Sequence, residues 1–225
     1  MLRLRFRLLS VATALVLCVL LLTALSGVAR ADTLLFANIT NTQENPPTVP
    51  TTTTGAPRPT PFGMASFVLN DAMTAMSFTA VVFNLDFTGT QTADVNDNLV
   101  AAHIHAGPLV TPGTNGSVVW GFFGTPFNET TPNDQVVTPF ATGVGGMISG
   151  KWDLPEGNGA GVNLASQLPH ILEGRAYINF HTTQFGGGEI RGAILQQQVP
   201  EPASILLLFA GTIGLFGVCR RMGSV

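Results

Sequence analysis

Two short runs and one turn carry the residues with chemistry to offer. Ala102-His103-Ile104-His105-Ala106-Gly107 holds two imidazoles two positions apart. On an extended strand residues i and i+2 face the same way, so His103 and His105 point together and Ile104 points away. Tyr177-Ile178-Asn179-Phe180-His181-Thr182 repeats the pattern: Tyr177, Asn179 and His181 share a face, opposite Ile178 and Phe180. After Gly186-Gly187-Gly188, Glu189 and Arg191 fall on one side of a third run. Two arrangements fit these residues. In one, His103, His105 and His181 form a three-imidazole metal site, with Glu189 as a ligand or as a partner to a ligand. Imidazoles suit zinc or copper, and two histidines alternating on a strand make good ligand geometry. In the other, Asn179, Glu189 and Arg191 pair with neighbours and the histidines hydrogen-bond across strands, giving a satisfied polar network. Both predict that the three histidines converge.

The elements that must position them read as β. Thr33 to Thr40, Phe62 to Asn70, Met73 to Phe83, Leu99 to His105, Ser117 to Phe123, Gly146 to Trp152, Arg175 to His181 and Glu189 to Leu195 are strand candidates. Asn70-Asp71, Pro108, Pro112-Gly113 and the triple glycine punctuate them as turns. Asn41 to Pro61 and Phe123 to Gly145, both rich in Pro and Thr, read as loops. Val162 to Leu172 reads as a short helix that Pro169 would interrupt or end. Short strands at this spacing predict an all-β fold, an antiparallel β-sandwich of Greek-key-like form. Trp120 and Trp152 fall in strands and read as core, or as sugar-stacking platforms where exposed. His170 reads as a surface or cap residue.

The two ends have a different character. Arg3, Arg5 and Arg7 precede an uncharged apolar run from Leu8 to Leu25, and Ala29-Arg30-Ala31 follows. That order is a secretory signal peptide over 1–31, or an uncleaved N-terminal anchor; either one exports the rest. At the other end, residues 203–219 are apolar and uncharged, and Arg220-Arg221 follow at once. A helix there reaches about 25 Å, enough for a thin bilayer, with the arginines on the cytoplasmic side. Pro200-Glu201-Pro202 sits just before it. This arrangement over 199–225 resembles the PEP-CTERM sorting signal. The resemblance implies an exosortase-type membrane protease that cuts near the motif, and a cell envelope rich in exopolysaccharide. A plain tail anchor is the other reading and leaves the orientation unchanged.

Between the ends, 32–198 forms one domain. Its cations are Arg58, Lys151, Arg175 and Arg191 against twelve carboxylates, a net charge of −8. Nucleic acid is a poor partner for such a surface; cations or neutral glycans fit it better. Cys18 and Cys219 both lie in the terminal segments, so thiol chemistry and Cys-ligated zinc are excluded from the domain. Ser117 has no nucleophile-elbow context, and no glycine-rich run opens a helix to cradle phosphate.

The middle segment resembles the CHRD domain, a family named from chordin. The resemblance rests on Gln43-Glu44-Asn45-Pro46-Pro47, Ala102 to Gly107, Asn115-Gly116, Tyr177 to Thr182 and Gly188 to Gly192, in that order. It implies an extracellular β domain without a settled activity. The sequence therefore predicts an exported cell-surface or extracellular-matrix structural or binding protein, with matrix or exopolysaccharide as partner. A metal-binding domain or a metalloenzyme is the alternative; no nucleophile–base arrangement argues for catalysis.

Overall fold

Alternation along the first strand shows how the core is made. In β1, Thr33–Thr40, Leu35, Ala37 and Ile39 are buried while Leu34, Phe36 and Asn38 face out. The computed structural model describes residues 31–129, 133–153 and 161–197, and both predicted membrane segments lie outside them. Among the described residues no helix is long and apolar enough to cross a membrane. The strands continue as β2 (Phe62–Leu69), β3 (Ala75–Phe83), β4 (Leu99–Ala106), β5 (Ser117–Gly124), β6 (Val136–Pro139) and β7 (Gly145–Asp153). Helix α1 (Leu164–Leu172) follows, then β8 (Ala176–Thr182), β9 (Ile190–Ala193) and β10 (Leu195–Gln196).

All the strands belong to one antiparallel sheet in the order β5-β4-β8-β9-β1-β2-β3-β7-β6, with β10 added beside β1. The sheet curls until its two ends meet. Phe78 of β3 touches Trp120 edge-on at 5.5 Å and Phe122 at 4.6 Å, both from β5 at the far end of the order. Trp152 of β7 stacks on Trp120 at 5.6 Å with the rings 2° from parallel. Both tryptophans are fully buried, so they are core and not sugar platforms. Each large side chain buried here contributes roughly 1.5–3 kcal/mol of transfer free energy.

Local turn chemistry sets the hairpins. Asn70 Oδ1 accepts from the backbone of Thr74 (2.7 Å) and Ala75 (3.1 Å), closing β2 onto β3. The structure departs from the sequence reading in two places. β6 lies inside the stretch read as loop; it is a four-residue edge strand, too short to show a period. The helix also runs three residues past Pro169. Proline there forfeits one i→i−4 bond, but Leu164, Leu168 and Ile171 are buried, and Asn163 caps the first turn by accepting from Ser166 N at 2.9 Å. Packing of the apolar side outweighs the lost bond.

β4 and β8 differ from the other strands in being buried almost throughout. One face carries Ile104, Ile178 and Phe180 into the core. The other face is covered by the connections around residues 41–58, 107–116 and 183–188, which hydrogen-bond to it from above. That covered face holds the histidines.

Candidate metal centre

β4 and β8 lie side by side in register, His103 opposite Asn179 and His105 opposite Tyr177. Against β5, the register of β4 shifts between Ala102 and His103 and again between Ile104 and His105. One irregularity immediately precedes each of the two histidines, and such bulges are common beside functional sites. His181 is brought alongside, and one ligand atom from each of His103, His105 and His181 falls within 4.8 Å of the others. The closest pair is His103 Nδ1 and His181 Nε2, 3.1 Å apart.

The outer nitrogens decide the tautomers. His105 Nδ1 lies 2.9 Å from the Gly116 carbonyl and His181 Nδ1 lies 3.0 Å from the Gly186 carbonyl. A carbonyl only accepts, so both Nδ1 atoms carry hydrogen and both Nε2 atoms present lone pairs. His105 Nε2 is buried with no hydrogen-bond partner. His103 Nε2 faces the backbone of Thr125 and Pro126 without closing a hydrogen bond of ordinary geometry. When the His103 proton sits on Nε2, three lone pairs meet at one point. When it sits on Nδ1, it bridges to His181 and leaves His105 without an inner partner. A tetrahedral ion with bonds of about 2.0–2.1 Å sets its nitrogens roughly 3.3 Å apart, close to the His103–His181 pair, and the wider separations, within 4.8 Å, would close toward it on binding.

Burial keeps all three imidazoles neutral. It pushes the His103 pKa down to about 3, assisted by His181 and His105. It pushes His105 down to about 4, partly offset by the Gly116 carbonyl and reinforced by His181 and Arg191. His181 is lowered by the same loss of solvent. Neutral imidazole is the form that binds metal.

Glu189 is not part of this trio. Its carboxylate, fully buried, is gripped through both oxygens by Nη2 of Arg58 and accepts from Thr182 Oγ1 at 2.5 Å. Burial raises its pKa, with Thr182 and Arg58 pulling the other way. Of the two arrangements the sequence allowed for Glu189, the geometry here is that of the polar network: the fully buried carboxylate pairs with the cation within reach, and the histidine cluster does not include it. Arg58 was missed because it lies in a loop 131 residues away; the signal available was that the domain has just four cations.

Arg191 builds a second assembly. It donates to Gln43 O (2.5 Å), Asn115 Oδ1 (2.8 Å) and Pro112 O (2.6 Å), tying two loops to β9. Its guanidinium carbon lies 4.6 Å from the centre of the Tyr177 ring. Tyr177 in turn stacks on His105 at 4.7 Å, 6° from parallel, and its hydroxyl accepts from Gly116 N at 3.1 Å. Tyr177 therefore holds both the His105 ring and the residue whose carbonyl orients that ring, a role the sequence did not reveal. Asn179 is buried with Oδ1 unpartnered. Beside it is Glu44, whose pKa is raised by burial. Gly188, at φ +125°, passes so close that a Cβ would lie 2.6 Å from Asn179 Nδ2 and 2.7 Å from Glu44 Oε2. A 650 Å³ pocket lined by Glu44, Pro46, Asn115, Phe185 and Gly188 opens beside the centre, and no imidazole lines it. His170, on α1, accepts from Arg175 Nη2 at 3.0 Å and stands apart. Pro200, Glu201 and Pro202 lie outside the described residues.

No curated protein and no solved structure matches the chain. Two family models do match, the PEP-CTERM protein-sorting motif over residues 198–221 and the CHRD domain over residues 35–194. Residues 35–194 take in the histidine face, the Arg58–Glu189 pair and the Arg191 assembly, and the chain belongs to the CHRD domain family, with a PEP-CTERM sorting motif at its C-terminal end.

Proposed function

We propose that this chain is an exported envelope protein whose CHRD domain, a sandwich-like curled sheet over 32–198, holds one transition-metal ion, zinc or copper, on His103, His105 and His181. The observation that supports this most directly is the pair of outer Nδ1 atoms, each fixed on a backbone carbonyl, which leaves neutral inner nitrogens converging. Carbonyl partners behind ligand imidazoles are what orient metal-binding rings. The role is binding or storage, with the acidic surface facing matrix or exopolysaccharide. The sorting motif supports processing by an exosortase-type protease near Pro200, Glu201 and Pro202, with membrane attachment through residues 203–219 beforehand. Metal analysis of the protein purified from its host tests the centre. One equivalent of zinc or copper is expected, falling to background in His105→Ala. A wild-type protein that takes up neither ion at micromolar concentration leaves the polar network as the whole account of these residues.

A further inference from the structure

We propose that the three-imidazole centre is matched to monovalent copper and discriminates against zinc and other divalent ions. This rests on the metal-site reading above and goes beyond it by naming the ion.

The ligand set carries no charge. Among the described residues the cluster comprises three histidines without an Asp, Glu or Cys. What acts on the three rings is burial first, then one another, Arg191 and backbone groups. Of the carboxylates that the motifs bring to this half of the sheet, Glu189 is held by Arg58, and Glu44 lies in the field of Arg191 with Oε2 unpartnered. An ion seated here keeps its full charge in a nearly dry place, since His103 is 2% exposed and His105 and His181 are 7%. The cost of taking an ion out of water grows with the square of its charge, so a divalent ion pays about four times the monovalent cost on a simple Born picture. Arg191 adds to the discrimination. Its cation lies one ring away, across Tyr177 from His105, and repels a double charge twice as strongly as a single one.

Coordination number points the same way. Zinc is almost always four-coordinate, and with three protein ligands it takes water in an open position. The pocket beside the centre includes none of the imidazoles. Monovalent copper is a closed-shell ion that accepts three-coordination; imidazole is among the copper donors, soft sulfur being preferred where it is present, and this cluster holds no cysteine.

The test uses the full chain in detergent with C18S and C219S, because thiolates would compete for copper. Cu(I) under anaerobic conditions, Zn(II) and Cu(II) are each titrated against a chromogenic chelator. One equivalent of Cu(I) is expected, held more tightly than Zn(II) by about 100-fold or more. His105→Gln and His181→Gln should abolish it with the near-UV circular dichroism kept; two positions are used so that one misfolded variant does not decide the outcome. Arg191→Gln should narrow the Cu(I)-to-Zn(II) ratio. Zinc held more tightly than Cu(I) overturns the copper assignment and leaves the metal site standing. Failure of every ion to bind overturns both. Cu(I) binding that survives both histidine variants places the ion elsewhere and overturns the assignment, and an unchanged ratio in Arg191→Gln overturns the charge argument.

Discussion

Arg58→Met isolates a charge pair that the fold seals from water. The Glu189 side chain is 0% exposed and that of Arg58 is 4% exposed. Removing the cation leaves a buried carboxylate with Thr182 Oγ1 as its remaining side-chain donor. Breaking a buried pair from one side costs about 3–5 kcal/mol, a large part of the roughly 5–15 kcal/mol that holds a domain folded. With a urea slope of about 2 kcal/mol per molar, the unfolding midpoint of the exported segment should drop by roughly 2 M. The loss has a pH signature. The Glu189 pKa is already raised from 4.5 by burial, and removal of Arg58 raises it further. A carboxyl with a raised folded pKa contributes stability below the unfolded value, and that contribution is lost as pH rises through the folded one. The variant should therefore be closer to wild type at about pH 5 than at about pH 8, where the bare carboxylate must stay charged. Adding Glu189→Gln should recover part of the loss at the higher pH and little at the lower. A single-variant cost under about 1 kcal/mol, or a cost independent of pH, would refute the picture of a dry, mutually dependent pair.

Three further outcomes follow from other parts of the molecule. Gly188→Ala should cost about 2 kcal/mol or more by thermal melt, because φ +125° excludes a side chain and the new Cβ would collide with Asn179 and Glu44; a neutral result would mean the turn can move away. In the metal-free domain, stability should fall as pH drops from about 6.5 toward 4 and then 3, since the unfolded chain protonates its imidazoles first while folded His105 and His103 resist to about 4 and about 3. The histidine share is on the order of a few kcal/mol; His103→Gln should flatten that slope in urea titrations, and a slope unchanged in the variant would place the acid sensitivity elsewhere. Intact mass of the protein from its host should show a chain lacking residues 1–31 and ending near Pro200 to Pro202; recovery of a sole species that keeps Arg220 and Arg221 would remove the processing claim.

Strand positions were legible because alternation is local. Thr33 to Thr40 reads as a short apolar run in a β pattern, and β1 has those limits, with Leu35, Ala37 and Ile39 turned inward. The H-x-H run and the Tyr177, Asn179, His181 face were legible for the same reason: two-residue periodicity survives even where the ladder to β5 slips. β6 was not legible, since four residues around a proline carry no period. The continuation of α1 past Pro169 was not legible either, because buried leucines decide it and not propensity.

By itself the sequence determined which side chains share a face, that the domain lacks thiols, and that its few cations must be placed with care. Which partner each polar group found was decided by tertiary structure. Glu189 was read either beside the histidines or paired with a neighbour, and the partner that reaches it, Arg58, comes from 131 residues away. The carbonyls of Gly116 and Gly186 choose the tautomers of His105 and His181, although neither backbone oxygen leaves any mark on residue type. Arg191 ties β9 to a loop 148 residues distant through Gln43. Side-chain direction is a property of the local backbone, while the pairing of buried charge and hydrogen bond depends on which loops the curled sheet brings overhead.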